Sequence, residues 1–229
     1  VDIDYSRQKD VIPVDLLDFP VTVVGAGGIG SPVALALAKM GVGNLQVIDF
    51  DKVELHNCPN QLLYPPDGVG ELKVVLLQRE LAHLAGVDIL VVDGTFPDTP
   101  LRPGVVISAV DSMAVRSKIW QVVKLDPNYP LFIDGRMDGE DLRVYTINPV
   151  DPDHIKFYEA SLYGDEGKDG RPCTNATVIY NCFVVGGIIA SRIAAFARHE
   201  TGGPKEFIMN LKTLNTVVDP RAVNDRGRG

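Results

Sequence analysis

Gly25, Gly27 and Gly30 punctuate the hexapeptide GAGGIG, which stands between a β-branched run and a stretch with helical spacing. Without side chains, these positions and Gly28 let phosphate oxygens reach backbone N–H groups at the positive end of a helix, so the hexapeptide reads as a nucleotide-binding loop. Asp49 comes nineteen residues after Gly30, at the end of the next apolar run, where a carboxylate can take ribose hydroxyls. Up to this point a nicotinamide-dependent oxidoreductase fits as well as an ATP-using enzyme. The segment beyond Asp49 separates them. Residues 51 to 68 form a polar, proline-bearing connection, much longer than the usual loop of about 2 to 6 residues, and a long ordered loop is usually functional. Asp51, Asn57, Asn60 and Gln61 lie in it; Lys73 opens the next helical stretch, and Asp111 closes the run VVISAV. A triphosphate carries roughly four negative charges, against about half a positive charge at a helix N-terminus, so it needs cations. Lys73 supplies one, and Mg²⁺ held by Asp111 supplies two more, magnesium commonly being bound through one or two carboxylates and phosphate oxygens. A dinucleotide needs neither.

Other residues admit two readings. Asp51 can equally cap its loop, and Lys73 can be an ordinary solvated helix residue. Asn57 is the most useful amide of the loop, since one side chain can bond both phosphate and metal-bound water. Arg116 and Arg136 are further phosphate or carboxylate ligands, or else partners in internal salt bridges; IDGRMDGE places Arg136 in a turn just past a strand. Cys173 follows the Gly- and charge-rich GDEGKDGRP and precedes a long apolar helix, with Arg171 beside it. A helix start and a cation both lower a thiol pKa, which makes Cys173 a nucleophile candidate against the alternative of a spectator thiol. Cys182 lies within the apolar helix and reads as a small hydrophobe. His56, His83, His154 and His199 show no ligand spacing.

The elements that must position these residues alternate. PVTVVG, NLQVID, VDILVVD and GVVISAVD read as strands, separated by the helical SPVALALAKMG and GELKVVLLQRELAHLAG and followed by SMAVRSKIWQVVK. Such alternation predicts an α/β, Rossmann-like, doubly wound and mainly parallel sheet. From Pro130 the pattern changes to two strands joined by a Gly-containing turn, a polar run, a long helix over about Thr177 to Arg198, and a last strand-like IMNLKTLNTVV, so C-terminal antiparallel strands are added. The expected organisation is an N-terminal segment (1–19), a single α/β domain (20–218) and a disordered tail (219–229).

Of the 229 residues 45% are hydrophobic and 23% charged, with net charge −8, enough for a sizeable core without cross-links. No block of Lys and Arg offers a surface to nucleic acid or anionic membrane. The sequence opens on no basic-then-apolar leader, and CFVVGGIIAS is too short and interrupted for a span of about twenty residues, so a soluble, cytoplasmic protein is expected. Cys58, Cys173 and Cys182 form no C-x-x-C pair, and no zinc is expected.

The string GAGGIGSPVALALAKMGVGNLQVIDFDKVELHN resembles the nucleotide loop and D-x-D segment of the ThiF/MoeB adenylyltransferases and their relatives, the ubiquitin-activating enzymes. The likeness continues through VGELK and AVDSMAVR and covers nearly the whole chain. It implies ATP and Mg²⁺ as cofactors and, as substrate, a ubiquitin-like or sulfur-carrier protein ending in Gly, with a conjugating enzyme as a possible further partner. The family's N-x-x-R-Q motif is matched at Asn57 and Gln61, but Asn60 stands where the arginine would be. Tyr5-Ser6-Arg7-Gln8 resembles the segment whose arginine reaches the partner subunit's ATP in family dimers, which implies a homodimer with Arg7 acting in trans. PCT at Pro172 to Thr174 resembles the crossover loop whose cysteine accepts the activated modifier, which implies a thioester on Cys173. The family carries an apolar residue in place of Cys58, which points to packing there. Two other classes stay open: a non-catalytic partner subunit of a heterodimeric activating enzyme, and an NAD(P)-dependent oxidoreductase.

Overall fold

The computed structural model describes residues 3–164, 177–200 and 202–218. In chain order the elements are β1 (Val21–Val24), α1 (Gly30–Met40), β2 (Leu45–Asp49), α2 (Lys73–Ala85), β3 (Leu90–Asp93), β4 (Val105–Ser108), α3 (Met113–Val123), β5 (Phe132–Asp138), β6 (Asp141–Ile147), α4 (Pro152–Glu159), α5 (Ile179–Ala197), β7 (Glu206–Asn210) and β8 (Asn215–Val218). Short 3₁₀ turns occupy Val14–Leu17, Leu55–Asn57 and Pro66–Gly68. The strands form one sheet in the order β3-β2-β1-β4-β5-β6-β7-β8. Pairs from β3 through β5 are parallel; β5 with β6, β6 with β7 and β7 with β8 are antiparallel. The α/β expectation holds, including the antiparallel extension.

The period-2 alternation of the strands divides the core into two layers. Val21, Val23, Leu45, Val47, Val105, Ile107, Ile133, Leu142 and Val144 face α1, α2 and α5, whereas Val24, Ile48, Val106, Phe132, Tyr145 and Ile147 face α3 and α4. Both faces being covered, β1 and β4 are buried along their whole length, which is why they read as mostly apolar, β-branched runs without polar alternation, with Thr22 and Ser108 also buried. Under α3 and α4 the packing is aromatic: Trp120, Phe132 and Tyr158 have ring centroids 4.8 to 5.5 Å apart. Helix α1 stops at Gly41, whose φ of +99° suits a residue without Cβ. Strand order reverses between β1 and β4, and ligands of such sheets bind at the carboxyl ends of the strands flanking that point.

Several local features differ from the sequence expectation. The last strand-like stretch is a hairpin: Asn210 Oδ1 accepts from Thr213 N and Oγ1, both at 2.9 Å, folding β8 back on β7. The polar run contains α4, which Asp151 caps by accepting from Asp153 N (2.8 Å) and His154 N (3.1 Å), with Pro152 in its first turn. Arg136 lies within β5 and not in a turn, because pairing with β6 extends to Asp138↔Asp141 and the turn falls at Gly139, with φ +59°. The long helix expected over about Thr177 to Arg198 is α5, and it extends the apolar stretch CFVVGGIIAS, by itself too short for a span, at both ends. Helix α5 runs 19 residues at mean hydropathy 1.6, long and apolar enough by composition to cross a membrane, yet half of that stretch is buried inside the protein. Its packing against α1 accounts for the apolar side: a Cβ on Gly186 would lie 2.9 Å from Pro32 Cβ. Finally, the N-terminal segment contributes to the core through Ile12 and the fully buried Leu17.

Candidate active site

The glycine loop leaves β1 where β1 and β4 run side by side. A Cβ on Gly25 would lie 2.6 Å from the carbonyl oxygen of Ala109, and one on Gly30 would fall on the carbonyl oxygen of Gly25. Those two glycines are demanded by the fold. Gly27 and Gly28 are not; the nearest atoms to a Cβ there are Gln61 Nε2 at 3.9 Å and, for Gly28, Cys182 Sγ and Met137 Cε at 3.4 Å. The N–H groups of Gly27, Gly28 and Ile29 donate to no acceptor among the described residues. Orphan donors at the start of α1, on a glycine-rich loop, make an anion site.

This loop opens on a cavity of about 1680 Å³, beyond the roughly 300–1,000 Å³ of ordinary small-molecule sites, so two reactants fit together. Asp49, Asp51, Asn57, Gln61, Lys73 and Asp111 line it with the glycines, and Arg136, Arg143, Tyr145 and Lys156 line its other end. Asp49 Oδ2 accepts from Ala26 N (2.6 Å) and Oδ1 from Asp51 N (2.7 Å). Burial raises this carboxyl above the usual range, only partly offset by those two bonds and by Lys73. Lys73 is buried and pairs with the half-exposed Asp51, Nζ to Oδ2 2.8 Å; its own N–H bonds the Asp51 carbonyl at 2.9 Å. The cation is thus held at the cavity wall by a carboxylate that a phosphate can replace. Asn57 is buried, its Oδ1 accepting from Glu54 N (2.9 Å) in a reciprocal cap. Gln61 Oε1 and Asn60 Oδ1 are buried without a donor among the described residues. Asp111 is exposed, one hard oxygen ligand facing the cavity, which suits a magnesium ion that takes most of its ligands from phosphate and water.

One sequence-predicted residue is not brought together with these, and a second falls outside the described residues. Arg7 is exposed and outside the cavity lining; its neighbour Gln8 donates Nε2 to the Met40 carbonyl (2.7 Å), at the far end of α1 from the glycine loop. Eleven helical residues place those ends about 16 Å apart. Cys173 lies outside the described residues, as does Arg171. Cys58 is half-buried against the core and Cys182 fully buried, where burial raises its thiol pKa.

For Arg116 and Arg136 the internal alternative holds. Arg116 Nε lies 2.6 Å from Asp134 Oδ1 and Arg136 Nε 2.7 Å from Asp134 Oδ2, which also accepts from Tyr158 OH at 3.0 Å. Arg116 Nη2 donates to the Val110 carbonyl (2.5 Å), bracing the peptide that carries Asp111. Arg136 donates Nη1 to the Ser161 carbonyl (3.0 Å) and stacks 4.5 Å above the Tyr145 ring. Burial opposes its charge, but the Asp134 carboxylate, helped by Tyr158 and Tyr145, outweighs it and raises the guanidinium pKa. The two arginines shape the wall by holding Asp134. Sequence reasoning missed Asp134, Tyr158 and Tyr64, whose hydroxyl donates to the Ala26 carbonyl at 2.5 Å. IDGR was the available signal for the first; nothing marked the tyrosines.

Comparison with known proteins bears on the family and the fold. The ThiF family matches residues 13–225. The sulfur carrier protein ThiS adenylyltransferase of Escherichia coli (strain K12) is 35% identical over 188 residues, covering 76% of this chain and 72% of its own length. The adenylyltransferase and sulfurtransferase MOCS3 of Anopheles gambiae is 50% identical over 64 residues, but the matched part is only 14% of that protein. Among solved structures, E. coli MccB with ATP superposes with a TM-score of 0.75 over 96% of this chain and 71% of its own, at 17% identity, a likeness of fold. With the family matched over residues 13–225 and a 35%-identical relative of which it spans 72%, the chain belongs to the ThiF family and is an adenylyltransferase of the ThiF type.

Proposed function

We propose that this protein activates the C-terminal glycine carboxylate of a small sulfur-carrier or ubiquitin-like protein by joining it to AMP. The observation that carries the reading is the convergence on one cavity of free N–H groups at Gly27, Gly28 and Ile29, the Lys73–Asp51 pair and the exposed Asp111. The glycine loop holds phosphate, Lys73 exchanges Asp51 for a phosphate oxygen, Asp49 takes the ribose hydroxyls, and Asn57 and Gln61 face the phosphates with their amides. Asp111 holds Mg²⁺, which neutralises charge on the triphosphate. A carboxylate oxygen of the carrier bonds to the α-phosphorus, the bond from that phosphorus to the bridging oxygen breaks, and pyrophosphate leaves. No general base is required, since the carboxylate is already ionised; the chain contributes position and charge neutralisation. The far end of the cavity offers room for the carrier's terminal residues.

Further steps belong to the same reading. Arg7 reaches the phosphates of a partner subunit in a homodimer. Cys173 attacks the adenylate carbonyl, AMP departs, and a thioester remains, from which a conjugating enzyme or a sulfur donor takes over. The protein works in the cytoplasm and without structural zinc. Asn60 in place of the family arginine favours one rival, a non-catalytic partner subunit that binds ATP without turnover.

The test is intact-mass analysis of Gly-ending carriers, ThiS among them, incubated with the protein, Mg²⁺ and ATP. The expected product is a carrier carrying one AMP, abolished when its last glycine is removed. Tight binding of a nicotinamide dinucleotide with no ATP binding would overturn the proposal. For the second step, Cys173→Ala should keep the adenylate and lose any thiol-sensitive carrier adduct. Persistence of that adduct in Cys173→Ala, with loss in Cys58→Ala, would move the role to Cys58.

A further inference from the structure

We infer that Tyr64 is a positioning residue that aims the glycine loop at phosphate, an inference that rests on the ATP-binding reading above. Tyr64 lies within the long loop between β2 and α2, with its ring buried in the core and its hydroxyl 2.5 Å from the Ala26 carbonyl oxygen. That carbonyl shares a planar trans peptide with the N–H of Gly27, so the two groups point in opposite directions. Drawing the carbonyl inward to Tyr64 turns the Gly27 N–H outward. The preceding peptide is fixed as well, since the Ala26 N–H is taken by Asp49 Oδ2 at 2.6 Å. Ala26 is therefore held on both sides within a run whose neighbours, Gly25, Gly27 and Gly28, impose little conformational preference of their own. Without such a clamp the glycines would sample many orientations, and ordering them would weaken phosphate binding. The hydroxyl is a dependable donor: burial first, then the charges of Asp49 and Asp51, push its pKa well above the usual phenol value. Tyr64 touches neither reactant. It acts through the peptide it holds.

The experiment compares wild type with Tyr64→Phe, which keeps the buried ring and removes the hydroxyl. Calorimetry measures affinity for Mg-ATP, for tripolyphosphate and for adenosine. Affinity for ATP and tripolyphosphate should fall about tenfold, the scale of one hydrogen bond supporting a charged ligand, while adenosine affinity stays within about twofold. 4-Aminophenylalanine at position 64 restores a donor and should restore phosphate affinity, which a role in packing alone would not. Unchanged ATP affinity in Tyr64→Phe, or an equal loss for ATP and adenosine, would overturn the inference while leaving the functional reading intact. If Tyr64→Phe fails to fold, 4-fluorophenylalanine at position 64, which fills the space of the hydroxyl but cannot donate, decides: lost phosphate affinity with adenosine affinity kept supports the clamp, and wild-type phosphate affinity or an equal loss for all three ligands refutes it. Wild type that binds neither ATP nor tripolyphosphate removes the functional reading, and the inference with it.

Discussion

Asp111 shows what a residue can and cannot disclose from sequence. Its place at the end of an apolar run put it at the carboxyl edge of the sheet, and there it stands, exposed to the cavity. Asp111→Ala should reduce adenylate formation roughly a hundredfold, as expected when one charge-stabilising group is lost, with melting temperature nearly unchanged because the side chain is exposed. A parallel loss of activity and melting temperature would make its role structural. Asp49 gives a pH prediction. Burial raises its carboxyl pKa, so the fold favours the protonated form. That contribution is complete below the unfolded value of 3.8 and is lost as pH rises through the raised one. Thermal melts of nucleotide-free wild type and Asp49→Asn, from about pH 4 to 7, should therefore show the gap between them shifting in the mutant's favour as pH rises; a constant gap would contradict the assignment. Arg116 and Arg136 could not be resolved beforehand, since an arginine beside a sheet edge reads the same whether it meets a ligand or an internal carboxylate. Their shared partner, Asp134, is 18 residues from one and 2 from the other. Tyr64 was harder still, because its bond spans 38 residues and leaves no local pattern.

At the scale of elements, legibility followed hydrophobic burial. The strands β1, β2 and β4 and the helices α1 and α2 bury apolar stripes, and their periodicity announced them. Helix α4 was hidden, its short length buried only through Ile155 and Tyr158, and its real signal was the cap at Asp151. The His154 N–H first, and the Asp153 N–H with it, hold the Asp151 carboxyl below its usual pKa against slight burial. Its stabilisation is present above 3.8 and lost as pH falls through the lowered value. Asp151→Ala should cost about 1 kcal/mol at neutral pH, a fall in melting temperature of about 2–4 °C for a domain of this size. The difference should vanish in acid; an undiminished difference at pH ~3 would contradict the cap. The hairpin of β7 and β8 was misread as one strand because the turn NLKTLNT, which Asn210 closes, carries no glycine or proline to mark it.

For the whole molecule, alternating strands and helices made the doubly wound class legible. Which helix covers which face was not, since both layers use the same apolar residues at alternate strand positions. The far placement of Arg7 bears on assembly: next to Gln8 at the opposite end of α1, it stands too far away to reach its own chain's glycine loop. Mixing Arg7→Ala with Lys73→Ala tests this. If Arg7 acts across a homodimer, half of randomly exchanged dimers are hybrids with one intact site of two, and activity should recover to about a quarter of wild type. No recovery, with subunit exchange verified, would contradict the shared site. The central claim, that one cavity brings ATP and a carrier carboxylate together, is tested most directly by ATP–pyrophosphate exchange with a Gly-ending carrier. The expected result is exchange that requires both Mg²⁺ and the carrier's terminal glycine and that survives Cys173→Ala. Carrier and Mg-ATP that both bind, with no exchange of label, would contradict it and make the protein a nucleotide-binding partner subunit.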